Sequence, residues 1–230
     1  HPRQRPVPTR ADGIEEPPCL SGRVLIIGFG RFGQVVSQPL LLRGVDVSII
    51  DSDVEMIRAA GRFGFKVYYG DGTRLDVLRA SGASKADAIL VCSDGPEAVD
   101  RIVGLVKHEF PLAKLYVRSF DRGHTLRLIA AGVDYEIRET FESAMSFGEQ
   151  VLRGLGFEPD AVGETMADVR ARDRDRLELQ VVGGITAGRS LMRGNLVTPE
   201  PEPLARPQRQ PRTLNESAAA VIGREETPPR

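Results

Sequence analysis

Three glycines at the spacing Gly-x-Gly-x-x-Gly form a short loop that is suited to holding phosphate. The loop reads Gly28-Phe29-Gly30-Arg31-Phe32-Gly33, follows the apolar run Val24–Ile27 and precedes a predicted helix from Gln34 to Leu42. In that setting the first glycine permits a tight turn, the second lets the backbone approach the phosphates, and the third lets helix and strand pack closely. The N–H groups at the helix N-terminus favour an anion, so the loop predicts a nucleotide site.

An acidic residue at the end of the next predicted strand supplies the second part of this signature. Asp51 follows the apolar run Val45–Ile50 and lies 18 residues beyond Gly33. A carboxylate there accepts hydrogen bonds from a ribose diol and repels a 2′-phosphate, which favours AMP, NAD or NADH over NADP. The alternative is a turn residue or helix cap, since Ser52 and Asp53 follow. Loop and acid together favour nucleotide binding, and Ser52 is included in the predicted site.

Two more strand ends complete the predicted pocket, because ligands of open α/β sheets bind at the carboxyl ends of the strands. Asp71, Gly72 and Thr73 follow the third predicted strand, and Ser93 follows the fourth. Asp71 is a candidate acceptor for an adenine amino group, with an Asx-turn ahead of the next helix as the alternative. Arg31 projects from the glycine loop toward a phosphate or a partner subunit, unless it is a solvated surface residue.

Six short apolar runs indicate the elements that must position these residues. The runs are β-branched, apolar on both faces and separated by amphipathic segments, which is typical of a parallel sheet covered by helices. We therefore predict an α/β fold, a Rossmann-like doubly wound parallel sheet. Capping patterns predict helix starts at Ser52-Asp53-Val54-Glu55 and at Asp94-Gly95-Pro96-Glu97. The runs are Val24–Ile27, Val45–Ile50, Lys66–Tyr69, Ala88–Cys92, Lys114–Val117 and Val133–Ile137.

The composition and the scarcity of catalytic groups limit the function classes. A formal net charge of -1 gives no overall attraction for nucleic acid, and two cysteines provide neither a disulfide framework nor a clustered zinc site. No signal peptide or run of about 18 apolar residues is present, so the chain alone is expected to be soluble. Its three histidines and the lack of a Tyr-x-x-x-Lys spacing leave no evident proton-transfer group. We expect a protein that is not an enzyme and reads the nucleotide as a signal.

Four segments together closely resemble the C-terminal regulatory domain of Kef-type potassium:proton antiporters, which is known as the KTN, RCK or TrkA-N domain. The resemblance implies the cytoplasmic part of an inner-membrane protein, a homodimer that gates potassium efflux by K+/H+ antiport according to the bound nucleotide. The transporter helices would then lie elsewhere in the same polypeptide. A small NAD-dependent oxidoreductase and a peripheral Trk-type potassium-uptake subunit are the alternatives. The segments are Gly28–Gln34, Phe65–Thr73, Ala131–Val133 and Arg138–Glu142.

The same resemblance implies which residues bind ligands. Well-known members of the family also bind glutathione through basic and polar residues in the helix after the fifth strand and in the C-terminal helix. This chain has Ile129 where those members tend to place an arginine, so we expect weak or absent glutathione binding, with Arg118 and Arg127 as possible substitutes. The nucleotide site of the family falls on Gly28, Gly30, Arg31, Gly33, Asp51, Asp71 and Thr73.

Composition shifts along the chain predict four regions. Prolines concentrate at both ends, and the last stretch has few large apolar side chains with which to offset the entropy of ordering. We expect a linker at 1–21, a Rossmann-type nucleotide-binding domain at 22–138, a helical dimerisation extension at 139–192 and a disordered tail at 193–230. The predicted helix Thr140–Arg153 carries a broad apolar face that we expect to bury against a partner, its own sheet being the alternative. That face comprises Phe141, Ala144, Met145, Phe147 and Val151.

Overall fold

The computed structural model describes residues 23–191, 203–209 and 212–222, without the side chains of 184–191, 219 and 222. The predicted linker 1–21 and most of the predicted tail lie outside these residues. The chain divides into two compact units, the first ending at Ser146 and the second beginning at Phe147. This division falls within the helix Glu139–Gly154, so the helix contributes residues to both units.

The first unit contains a six-stranded sheet in which every neighbouring pair is parallel. Its spatial order is β3-β2-β1-β4-β5-β6, so the chain starts in the middle, winds to one edge and then crosses to the other. This order confirms the doubly wound Rossmann-like fold, with the reversal between β1 and β4. The strands are β1 (Arg23–Ile27), β2 (Asp46–Asp51), β3 (Lys66–Tyr69), β4 (Ala88–Val91), β5 (Lys114–Ser119) and β6 (Tyr135–Arg138).

Helices alternate with the strands, as the amphipathic segments predict. A short 3-10 helix, Ala83–Lys85, precedes β4. In the second unit the helix α7 runs for 33 residues and carries an i,i+4 ion pair between Arg172 and Asp168 at 2.8 Å. The helices are α1 (Arg31–Leu42), α2 (Val54–Arg62), α3 (Leu75–Ala80), α4 (Pro96–Glu109), α5 (Arg122–Ala130), α6 (Glu139–Gly154), α7 (Pro159–Leu191) and α8 (Glu216–Ile222).

Two apolar clusters form the core because successive residues of a strand point to opposite faces of the sheet. In β1, Leu25 and Ile27 belong to one cluster, whereas Ile26 belongs to the other. All three are at most 2% exposed, so the strand is covered on both faces. This double burial explains why the strands read as continuous apolar runs instead of alternating patterns.

Two helix caps differ from those that the sequence patterns predict. The side chain of Asp53, and not that of Ser52, caps α2 by accepting a hydrogen bond from the Glu55 N–H. Helix α4, Pro96–Glu109, has Gly95 at its N-cap and no side-chain cap, and the carboxylate of Asp94 binds Arg118 instead. In both places more than one polar residue could cap, and contacts with the loop or a neighbouring strand decide between them.

The described part of the predicted disordered tail contains one short helix. Helix α8 spans Glu216–Ile222, and the side chain of Asn215 accepts a 2.8 Å hydrogen bond from the Ala218 N–H. A capping asparagine followed by three alanines offers both an N-terminal signal and good helix formers. Local propensity accounts for this short helix, and the disorder of the tail 193–230 stays a prediction.

Candidate nucleotide-binding site

The glycine loop packs so closely that side chains at two of its positions would collide with neighbouring atoms. Gly28 has φ of 94°, and a Cβ there would lie 2.7 Å from the backbone nitrogen of Ser93. A Cβ on Gly33 would overlap the carbonyl oxygen of Gly28. Gly30 is different, since it stands at the start of α1 and a Cβ would meet nothing within 4 Å. The loop therefore leaves open space at a helix N-terminus, where an anion is favoured.

Asp51 holds this loop through both oxygens of its carboxylate. Oδ2 accepts a 2.7 Å hydrogen bond from the Phe29 N–H, and Oδ1 accepts one of 2.8 Å from the Asp53 N–H. A carboxylate oxygen has two lone pairs, so each oxygen retains a position for a ribose hydroxyl. Asp51 can therefore support the turn and bind a ribose at the same time, although the sequence presents these as alternatives.

An open cleft of about 400 Å³ lies at the carboxyl ends of the first four strands. This volume falls within the range of roughly 300–1,000 Å³ that is usual for small-molecule sites. Asp53, Met56 and Gly70 line it together with eight of the predicted residues. These eight are Gly28, Gly30, Asp51, Ser52, Asp71, Gly72, Thr73 and Ser93.

The other four predicted residues lie outside the lining of this cleft. The side chain of Phe29 is fully buried, with its ring 5.4 Å and 6.2 Å from the rings of Phe63 and Phe65. Phe32 is half-buried and Gly33 is buried within the turn, whereas Arg31 is exposed at the first residue of α1. Phe29 and Gly33 thus fix the shape of the loop through packing contacts and do not line the cleft.

Asp71 adopts the Asx-turn that the sequence leaves as the alternative to adenine binding. Its Oδ1 accepts hydrogen bonds from the N–H of Thr73 at 2.9 Å and from the Thr73 hydroxyl at 2.7 Å. These two bonds lower the pKa of the Asp71 carboxyl, the backbone bond being the larger cause. The carboxylate still lines the cleft, so the turn fixes its position at the rim.

Met56 and Arg118 are not among the nucleotide-site residues that the sequence predicts. Met56 lines the cleft, and its sulfur lies 3.5 Å from Nε2 of Gln34, which also donates to the Phe29 carbonyl at 3.0 Å. Arg118 lies near the end of β5, and its position there was the available signal, because parallel strands end at one edge. Met56 lies within α2, and a methionine in a helix gives no comparable sequence signal for a binding site.

A second, smaller cavity of about 90 Å³ lies toward the ends of β5 and β6. Arg118 lines this cavity and forms two ion pairs there. Its Nη1 lies 2.5 Å from Asp94 Oδ1, and its Nη2 lies 2.5 Å from Glu139 Oε2. The guanidinium carbon also lies 5.3 Å from the centre of the Phe32 ring. Ser93 and Asp94 line both this cavity and the larger cleft, so the two are adjacent.

The imidazole of His124 and the thiol of Cys92, both near the cleft, have pKa values that burial shifts toward the uncharged form. His124 is 1% exposed, its Nδ1 accepts a 2.9 Å bond from the Phe120 N–H, and burial lowers its pKa. Its Nε2 lies 3.0 Å from Asp100 Oδ1 but outside the angular range of a hydrogen bond. Burial raises the pKa of the Cys92 thiol to about 12. A protonated thiol is a poor nucleophile, so Cys92 contributes packing.

Residues 23–191, 203–209 and 212–222 hold no group of three or more metal-ligating side chains. Across the same ranges, none of the helices combines the length and the apolar character that crossing a bilayer requires.

Known sequences resemble this chain over its whole sheet and beyond. The sequence profile of the TrkA-N domain matches residues 24–139. A glutathione-regulated potassium-efflux system protein of Haemophilus influenzae is 38% identical over 227 residues, covering 95% of this chain and 35% of that protein. Its counterpart KefC from Escherichia coli O139:H28 is 37% identical, covering 86% and 33%. The chain thus spans about a third of the length of these relatives.

Solved structures show the same arrangement. The Kef C-terminal domain of Shewanella denitrificans in its AMP-bound form has a TM-score of 0.62 and 32% identity, covering 70% of this chain and 98% of that one. The TrkA-N domain of the Escherichia coli inner membrane protein ybaL has a TM-score of 0.53 at 15% identity, which supports the fold alone.

Proposed function

Because the chain belongs to the TrkA-N domain family, we propose that it is the cytoplasmic regulatory domain of an inner-membrane potassium efflux protein and that it senses an adenine nucleotide. The observation that carries the proposal is the glycine loop, open above Gly30 and held against Asp51 by the Phe29 N–H. The AMP named for the relative from Shewanella denitrificans supports an adenine nucleotide here. The efflux systems among its relatives favour efflux over potassium uptake.

The proposed ligand position follows from the chemistry of the cleft. The phosphate lies over Gly30 at the N-terminus of α1, where backbone N–H groups and the helix dipole attract it. The ribose diol donates to the free lone pairs of Asp51, and the adenine extends toward Met56 and the rim at Asp71. A thioether beside a flat ring is a favourable contact. Arg31, exposed beside the loop, is within the region of the phosphate.

Regulation requires that the nucleotide bind two states of the domain with different affinity, since a ligand with equal affinity for both shifts nothing. Helix α6 is our candidate for the element that differs between the states. It begins at Glu139, directly after β6, and Glu139 binds the Arg118 guanidinium at the edge of the site. A ligand that displaces Arg118 at the end of β5 would therefore act on the first residue of α6 through the ion pair with Glu139.

We further propose that the domain is a homodimer. Met145 of α6 is buried, and Phe141 is half-buried with the Arg138 guanidinium carbon 4.2 Å from its ring centre. On the same helix, however, Phe147 is 75% exposed and Val151 is 48% exposed. Large apolar side chains in water at helical spacing favour a partner surface. The predicted apolar face is thus divided between a buried part and a part left for a second copy.

A non-catalytic role fits the groups that surround the cleft. His124 and Cys92 are buried and uncharged, and a hydride-transfer enzyme needs a positioned proton donor or acceptor beside its cofactor. An oxidoreductase would show turnover of NADH with a carbonyl or disulfide acceptor, and we expect none above the uncatalysed rate.

The test of the proposed function is calorimetric titration of AMP into the purified chain. We expect saturable binding with one site per chain, and a loss of binding in Gly30→Val, whose side chain would occupy the open space over the helix N-terminus. The matched control is Gly104→Val in α4, another helical glycine with open space around its Cβ position. Absence of AMP, ADP and NAD binding to the wild-type chain would refute the proposal.

A further inference from the structure

The structure also indicates which size of nucleotide the site accepts. A dinucleotide bound to a doubly wound sheet spans both halves of the crevice, one nucleoside lying over each half. The open cleft of about 400 Å³ covers the ends of β1, β2 and β3 and reaches the residues that follow β4. The other half, over β5 and β6, is where a second nucleoside would have to lie.

That second half is closed by a bridge of side chains, which we call the Arg118 bridge: Arg118 together with Asp94, Glu139 and Phe32. The guanidinium joins Asp94, just beyond β4, to Glu139, the first residue of α6, at 2.5 Å each. It also donates to the Cys92 carbonyl at 3.4 Å and lies over the Phe32 ring. The Arg118 side chain is only 20% exposed, so four contacts hold it across the crevice.

The cavity that Arg118, Asp94 and Glu139 line is too small for a nucleoside. Its volume is about 90 Å³. A ribose with a six-membered ring needs several times that volume, since small-molecule sites begin near roughly 300 Å³.

Charge adds to this steric restriction. Two carboxylates, Asp94 and Glu139, share the single guanidinium of Arg118, so the bridge has a net charge of about -1. The second phosphate of a dinucleotide would approach this negative edge, whereas a lone phosphate over Gly30 stays on the side of the glycine loop. Both effects act against the dinucleotide, whereas AMP is subject to neither and the second phosphate of ADP meets the charge effect alone.

We infer that the Arg118 bridge is a specificity device: it restricts the site to adenine mononucleotides such as AMP or ADP and disfavours NAD. The inference rests on the proposed nucleotide function. Opening the bridge for a second nucleoside would break two partly exposed ion pairs and one cation–π contact, which together correspond to about a tenfold difference in affinity.

The experiment measures the ratio of the dissociation constants for NAD and AMP by calorimetry. We expect wild type to bind AMP at least about tenfold more tightly than NAD, and Glu139→Gln, which breaks one ion pair and takes the net charge of the bridge from about -1 to about 0, to reduce this ratio toward one. Arg118→Ser opens the second half but leaves the carboxylates of Asp94 and Glu139 unpaired, so it should reduce the ratio less than Glu139→Gln does. Arg79→Ser is the matched control, because Arg79 forms an ion pair with Glu109 and lines neither cavity.

The outcomes separate this inference from the proposed function. Equal binding of AMP and NAD by wild type, or an unchanged ratio in both bridge variants, would overturn the specificity device while nucleotide binding stands. If wild type binds neither ligand, the proposed function fails and the inference fails with it. Circular dichroism identifies any variant that is unfolded, and Glu139→Gln, which keeps the side-chain shape, then decides the question.

Discussion

The backbone N–H of Phe29 donates a 2.7 Å hydrogen bond to Oδ2 of Asp51, across 22 residues of sequence. This bond joins the glycine loop to the end of β2, the two elements that the nucleotide would contact with its phosphate and its ribose. A hydrogen bond to a charged group contributes roughly 1.5–3 kcal/mol. Asp51 is therefore a structural support of the loop as well as a candidate ligand of the ribose.

Replacing Asp51 with alanine should weaken AMP far more than adenosine 2′,5′-bisphosphate. AMP loses its ribose hydrogen bonds, which should lower its affinity about ten- to a hundredfold. The bisphosphate is no longer repelled by the carboxylate, so its affinity should fall much less. Loosening of the loop affects both ligands alike and cancels in the comparison. Asp46→Ala is the control, since Asp46 begins the same strand and pairs with Lys66. Calorimetry that finds equal losses for the two ligands would remove Asp51 from the ribose site.

Phe147→Glu should convert the proposed dimer into a monomer. The phenyl ring is 75% exposed, and a carboxylate at that position would be buried without a partner in any interface it forms. Light scattering should give about twice the chain mass of 25.1 kDa for wild type and about once that mass for the variant. Leu112→Glu, at a side chain that is 97% exposed between α4 and β5, should leave the mass unchanged. A wild-type chain that runs as a monomer contradicts the dimer.

Glutathione should bind weakly or not at all, although the relatives are named for it. Ile129 offers no charge, and the two arginines that we expected as substitutes already hold carboxylates. Arg127 Nε lies 3.0 Å from Asp100 Oδ2, and Arg118 is held in its bridge. We expect Ile129→Arg to strengthen binding by about ten- to a hundredfold, and Ile129→Lys to do less because an ammonium cannot bind a carboxylate bidentately. A low-micromolar isotherm for wild type would overturn this prediction.

The free energy of unfolding should fall as the solution is acidified below about pH 6.5. Burial lowers the pKa of His124 in the folded state below its ordinary value of 6.5, so the unfolded chain takes up the proton first. The stability that the neutral imidazole contributes is present above pH 6.5 and is lost as the pH falls toward the lowered pKa. Urea denaturation at pH 7.5 and 5.5 measures the difference.

The variant that isolates this effect is His124→Asn, whose amide oxygen can still accept the Phe120 N–H. Its pH dependence between these two values should be smaller than that of wild type. The exposed His108 provides the control, and His108→Asn should keep the wild-type dependence. If His124→Asn and wild type lose the same stability on acidification, another group is responsible.

The amino-acid sequence by itself determined the architecture and the phosphate loop, because both depend on local patterns. Apolar runs with β-branched residues predict the strands, and the spacing of Gly28, Gly30 and Gly33 predicts a phosphate loop in which Gly28 and Gly33 leave no room for a Cβ. The placement of Asp51 follows from the same strand pattern. Each of these signals lies within a short stretch of chain, so the sequence carries it without reference to distant residues.

Only the tertiary structure decided how the strand ends meet. Arg118, Asp94 and Glu139 are separated by more than twenty residues each, and nothing in their spacing predicts a shared guanidinium. They meet because all six strands are parallel and end at one edge, where long side chains reach across two neighbours. The tertiary contact with Arg118 likewise engages the carboxylate of Asp94, which the sequence offers as the cap of α4. When several polar residues compete locally, the contacts made by neighbouring elements select among them.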